Sequence, residues 1–132
     1  MEILIKRLND QAKLPAYSSE AGPGIDLYSL NEVVVEPGAK VVVSTGVAMA
    51  IPVGYVGLVW SRNSFSITDP IKVSDSMVVS GYRDEISVEI ENKGSEAVTF
   101  TAGEKVAQLM VQKIHKMQLI EAADLSGGPE ED

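Results

Sequence analysis

The sequence predicts an all-β fold, a sandwich, jelly roll or barrel. Short β-branched runs alternate apolar and polar residues with period two. Gly, Pro and Asn turn signals interrupt these runs roughly every eight to twelve residues. No internal repeat and no second domain is visible, and a chain of 132 residues suffices for one domain that buries about two-thirds of its unfolded surface.

In chain order, residues 1–8 alternate and read as an opening strand, and Pro15 breaks any helix after them. Gly22, Pro23 and Gly24 mark a tight turn before a strand over 25–30. Val33 to Val35 is a further β run that ends at Pro37-Gly38, and 40–44 and 47–51 are two more, the second closed by Pro52 and Gly54. The segment from Gly57 to Asn92 holds the central strands, GLVW before a polar SRNS, then MVV and EISVEIEN around Ser80-Gly81-Tyr82-Arg83. Asn92-Lys93-Gly94 turns the chain into a strand over 97–101, and Ala102-Gly103-Glu104 turns it again. Residues 106–114 and 117–121 read as the last strands. Val106, Leu109, Met110 and Lys113 also satisfy helical spacing, so a helix over 105–118 stands as the alternative.

Residues 1–120 are expected to form the β domain and 121–132 a flexible acidic tail. A net charge of −8 excludes generic duplex nucleic-acid binding, which rests on neutralising phosphates with Lys and Arg. The absence of Cys excludes disulfides, thiolate metal sites and cysteine nucleophiles. No apolar run approaches membrane-spanning length and no signal peptide is visible, so a cytoplasmic location with no membrane partner is expected.

The polar junctions of the central segment carry groups suited to a phosphorylated ring compound. Arg62 is a forked cation, Asn63 and Ser64 are donors, and Tyr82 is a flat ring. Taken alone, each has a plainer reading. Arg62 suits a surface ion pair, Tyr82 a rim aromatic, and Asp26 a turn carboxylate satisfying backbone donors. The only histidine, His115, lacks clustered partners and reads as an exposed strand residue rather than a metal ligand.

The order of motifs resembles the trimeric dUTPase family over residues 3–120. LPAYSSEAGPGIDLYS resembles its first conserved segment, and STGVAMAIPVGYVGLV its connecting strands. SRNSF stands for its Arg-Ser-Gly-Leu, SGYRDEI for its Asp-x-Asp-Tyr-Arg-Gly-Glu-Ile, and GEKVAQLMV for its Gly-Asp-Arg-Ile-Ala-Gln-Leu. The resemblance implies a distorted jelly roll assembled as a homotrimer, with nucleotide sites at subunit interfaces and Mg²⁺ accompanying a bound triphosphate. It assigns Asp26 to the metal and phosphate end, Arg62, Asn63, Ser64 and Gln108 to phosphate contacts, and Tyr82 to the deoxyribose. The hairpin 74–81 would read a pyrimidine edge.

Three departures bear on activity. Val79 stands where the family has the aspartate that activates water, Asn63-Ser64 replaces Ser-Gly, and LSGGPEED stands where active members carry a Gly-rich arm with Arg and Phe. These lead to an expectation of a nucleotide-binding protein without efficient hydrolysis, which sequesters or senses a pyrimidine, cyclic or signalling nucleotide. One alternative is a dUTP diphosphatase with a shifted base, Asp75 or Asp84. Another is deaminase-like activity through Glu89, because Glu89 and Asn92 match the spacing of the related dCTP deaminases, although Ile67 replaces one of their arginines. Glu89 equally fits plain alternation, since Glu85, Ser87, Glu89 and Glu91 share one strand face. A protein-interaction module without a ligand is the remaining reading.

Overall fold

The computed structural model describes residues 1–18, 23–62 and 68–126. Within them the chain forms twelve strands and no helix. They are β1 (Leu4–Arg7), β2 (Ala16–Tyr17), β3 (Ile25–Tyr28), β4 (Val33–Val35), β5 (Lys40–Ser44), β6 (Val47–Ala50), β7 (Tyr55–Ser61), β8 (Ile71–Val73), β9 (Ser76–Val78), β10 (Ser87–Asn92), β11 (Val98–Phe100) and β12 (Lys105–Lys113). The all-β expectation holds. The helical alternative over 105–118 is replaced by β12, in which Ala107 and Leu109 alternate with Gln108 and are buried, as is Val106 beside the register shift.

All pairing is antiparallel and divides into four sheets. The largest runs β2-β3-β12-β7-β9, a three-stranded sheet runs β5-β10-β8, and β1-β6 and β4-β11 form separate pairs. The inward faces close over one apolar core containing Phe100, Leu27, Met49, Ile71, Ile90 and Leu109. β10 shows how sequence sets this layout. Val88, Ile90 and Asn92 point inward, whereas Ser87 and Glu89 face solvent.

Buried Asn92 completes the core where β10 ends. Its amide donates to the carbonyls of Val35 (2.9 Å) and Glu96 (2.8 Å), and its Oδ1 accepts from the Gly94 amide (2.9 Å). One side chain thus satisfies backbone groups that the turn 92–94 takes away from water.

The strand expected over 117–121 does not form. Met117, Leu119 and Ile120 are instead exposed, and among the described residues no strand pairs with them. β8 and β2 form in stretches without clear strand signals, each held by a longer neighbour, β10 and β3 respectively.

Candidate functional site

β12 is the longest strand and lies between β3 and β7, so it brings three chemical groups to one end of the large sheet. Gln108 stands opposite Asp26 on β3 and opposite Trp60 on β7. The register shift between Lys105 and Ala107 lies beside this row. A bulge of this kind re-aims side chains at the end of a sheet. Gln108 donates from Nε2 to the Ser61 carbonyl at 2.9 Å, which fixes its amide next to Arg62. It packs closely on the turn before β3, where a Cβ on Gly24 would overlap Gln108 Oε1 and the carboxamide would have to shift to admit it.

Asp26 is almost wholly buried. The Lys105 ammonium lies 3.0 Å from its Oδ1, but off the hydrogen-bond direction, so among the described residues this oxygen has an ion partner and accepts no hydrogen bond. The Tyr28 phenol, two residues along, is held above its ordinary 10.0 by burial and then by the Asp26 charge. Lys13 lies over the face of the same ring, 4.1 Å from its centroid.

Arg62 follows β7 and is held on three sides. Its Nε donates to Asp69 Oδ2 at 3.1 Å and its Nη2 to Asp69 Oδ1 at 3.4 Å. Its Nη1 lies 3.5 Å from Glu104 Oε2. Phe100 lies beneath the guanidinium, 4.7 Å from Cζ to the ring centroid. Glu104 and Lys105 are adjacent in the chain, so Asp69, Arg62, Glu104, Lys105 and Asp26 form one ribbon of charge along the top of β3-β12-β7.

Tyr82 and Val79 lie elsewhere. In the β7–β9 register Val78 faces Gly57 and Ser76 faces Val59. β9 therefore leads away from Arg62, and Gly57 and Ser61 are separated by roughly 13 Å at about 3.3 Å per residue. The turn that follows keeps Tyr82 with Val79, whose carbonyl accepts the Tyr82 amide at 3.0 Å. The Tyr82 hydroxyl donates to the Glu85 carbonyl at 2.6 Å. Val79 is half-exposed and offers no proton acceptor. One protomer thus carries two separated half-sets, Asp26, Arg62 and Gln108 at one end and Val79 and Tyr82 at the other.

The remaining carboxylates have these placements. Glu89 lies on the outer face of β10 and accepts from Ser74 Oγ at 2.8 Å. Asp84 is exposed in the loop after Tyr82. Asp75 lines a groove of about 470 Å³ with Leu58, Trp60, Ser76 and Met77. Asn63 and Ser64 lie outside the described residues, as do 127–132 of the acidic ending.

The sequence model described as dUTPase matches residues 10–128. The chain belongs to the dUTPase family. It is 38% identical over 121 residues to the deoxyuridine 5'-triphosphate nucleotidohydrolase of Syntrophotalea carbinolica, an overlap covering 89% of this chain and 82% of that one. With the protein of the same name from a Hydrogenobaculum species it shares 33% over 135 residues, covering 100% of this chain and 94% of that one. Among solved structures, the dUTPase of Staphylococcus bacteriophage 80alpha superposes with a TM-score of 0.82 at 25% identity, covering 93% of this chain and 97% of that one. A mutant dUTPase from phage phi11 of S. aureus, solved to describe coordination of a structural Mg(II) ion, has a TM-score of 0.81 at 25% identity and covers 94% and 98% of the two chains.

The residues of this dUTPase-family chain meet a magnesium ion only in part. Asp26 Oδ1 is a buried hard oxygen that accepts no hydrogen bond among the described residues, but the Lys105 ammonium 3.0 Å away already meets it and competes with a cation there. The described residues hold no cluster of three or more His, Cys, Asp or Glu suited to a metal. Magnesium tolerates few protein ligands and retains phosphate and water oxygens, so Asp26 would hold it only beside a triphosphate's oxygens and with Lys105 turned away. Asp69, Glu104 and Lys105 escape a sequence reading because their partners come from other strands. The Asp69-Pro70 pair before β8 is the one local signal for Asp69, and it speaks of a turn rather than a site.

Proposed function

We propose that this chain is a dUTP nucleotidohydrolase, which releases pyrophosphate from the deoxynucleotide at sites shared between the subunits of a homotrimer. The observation that carries the reading is the gathering of Asp26, Gln108 and Arg62 at one end of β3-β12-β7. A carboxylate, a carboxamide and a forked cation there suit a magnesium triphosphate. Relatives sharing a third or more of their residues over nearly the whole chain bear the same activity in their names. The distance between the two half-sets supports sharing, with the Tyr82 end of one protomer completing the Arg62 end of another.

In this reading Arg62 and Gln108 bind and orient the phosphates, and the Tyr82 ring packs against the sugar. A bound magnesium neutralises phosphate charge. With no carboxylate at Val79, Asp75, at the Arg62 end of β9 rather than the Tyr82 end, is the group that takes a proton from the attacking water. Both Asp75 and Asp84 are exposed, but Asp75 lines the groove beside Trp60 and Met77. Incubation with dUTP and Mg²⁺, followed by separation of nucleotides and pyrophosphate, tests the activity. D75N should lower kcat by roughly 100- to 10,000-fold, the usual share of a general base, and D84N should not.

A second reading is favoured by Val79 itself, since a valine at the base position suits binding without efficient turnover. Intact dUTP after prolonged incubation, together with a ligand-dependent rise in melting temperature, would decide for it.

A further inference from the structure

We propose that Glu104 is a displaceable latch on Arg62 and occupies the position that the anionic end of a nucleotide takes, while Asp69 is the permanent anchor that aims the guanidinium. The inference rests on the reading of Arg62 as a phosphate contact.

The two carboxylates that flank Arg62 differ in kind. The Asp69 side chain is only 5% exposed and engages the arginine at two points. Its Oδ1 also accepts the Ile71 amide at 3.0 Å, so it belongs to the start of β8 as much as to the arginine. Removing such a carboxylate leaves backbone and guanidinium donors without their acceptor. With Phe100 beneath, Asp69 fixes the plane of the fork and leaves Nη1 as the outward corner.

Glu104 meets that corner loosely. Its side chain is 38% exposed and its Oε2 lies 3.5 Å from Nη1, beyond the 2.7–2.9 Å or so of a charge-assisted hydrogen bond. Water screens a pair of this kind, and its net stabilisation is small. The other oxygen of Glu104, Oε1, accepts from the Thr101 amide at 3.0 Å and the Thr101 hydroxyl at 3.3 Å. Glu104 can therefore release Arg62 and keep its own hydrogen bonds.

Charge counting gives the consequence. Arg62 carries one positive charge between two carboxylates, and Glu104 sets its negative charge beside Nη1, the corner that a polyphosphate would meet. Glu104 thus sets affinity and takes no part in the reaction. Its removal should change ground-state and transition-state binding alike, which appears in KM rather than in kcat.

The test uses the full-length chain and E104Q, which keeps an oxygen for Thr101 and removes the charge. Trp60, the only tryptophan and two residues before Arg62, serves as a fluorescent reporter. Inorganic tripolyphosphate titrated without magnesium should bind E104Q about three- to tenfold more tightly than wild type. KM for dUTP should fall by a similar factor with kcat unchanged. Equal or weaker affinity of E104Q, or binding to neither protein, overturns the latch. R62A separates the two levels of the argument. Unchanged binding by R62A removes Arg62 from the site and the latch with it, whereas loss of binding in R62A beside an unaltered E104Q removes the latch alone. Absence of dUTP turnover in every variant would overturn the hydrolase reading, and the tripolyphosphate titration would still judge the latch.

Discussion

Asn92 inside the β core and Tyr28 at its edge show how much a single polar side chain does in this fold. The buried Asn92 side chain makes three hydrogen bonds, so N92A strands the buried Val35 carbonyl and removes the partner of the part-buried Glu96 carbonyl and Gly94 amide. We expect a loss of about 2–4 kcal/mol in folding stability, read by urea denaturation, with the secondary structure of the folded state unchanged. Asn92 matches a deaminase position in the sequence, and its place in the fold gives it a structural occupation whatever else it does. Tyr28 makes a prediction about pH. Because burial and Asp26 raise its pKa, the folded chain holds the phenolic proton more tightly than the unfolded chain does. That contribution is whole below pH 10.0, the ordinary value, and is lost as pH climbs through the raised folded value. On alkaline titration the melting temperature of wild type should therefore drop more steeply than that of Y28F, and parallel curves would contradict the assignment.

At the scale of elements, the decisive feature is the fit of β12 between β3 and β7. Gly24 is where that fit is tightest, and G24A should push the Gln108 carboxamide from its bond to the Ser61 carbonyl. The expected result is a several-fold rise in KM for dUTP with a melting temperature within about 4 °C of wild type, since a surface-end side chain moves and the core does not. A large fall in stability with unchanged KM would show that the glycine serves the fold alone. Elements were legible from sequence where they carry their own alternation, as in β5, β7 and β10. β8 was not, because three residues after Pro70 hold too little pattern and the pairing with β10 decides. Residues 117–121 show the converse. They have strand-like residues but no partner strand among the described residues, and composition alone does not make a ladder. The same logic limits the site. Arg62, Gln108 and Asp26 could be singled out by motif, but Asp69 and Glu104 reach Arg62 only through strand packing that no local pattern records.

The whole molecule is organised by the direction in which β9 leaves β7, which sends Val79 and Tyr82 to the end remote from Arg62. If the two ends meet only between protomers, damage to one end is not equivalent to damage to the other, and the two kinds can mask each other. An R62A chain still has a sound Tyr82 end, and a Y82A chain still has a sound Arg62 end. Each alone should be nearly inactive. Unfolded together at equal amounts and refolded, they should produce mixed assemblies in which about a quarter of the sites draw both ends from undamaged halves, as random closed association requires. Two inert proteins would then yield roughly a quarter of wild-type turnover on mixing. In a cell carrying both alleles, each lesion would be partly silent in the presence of the other.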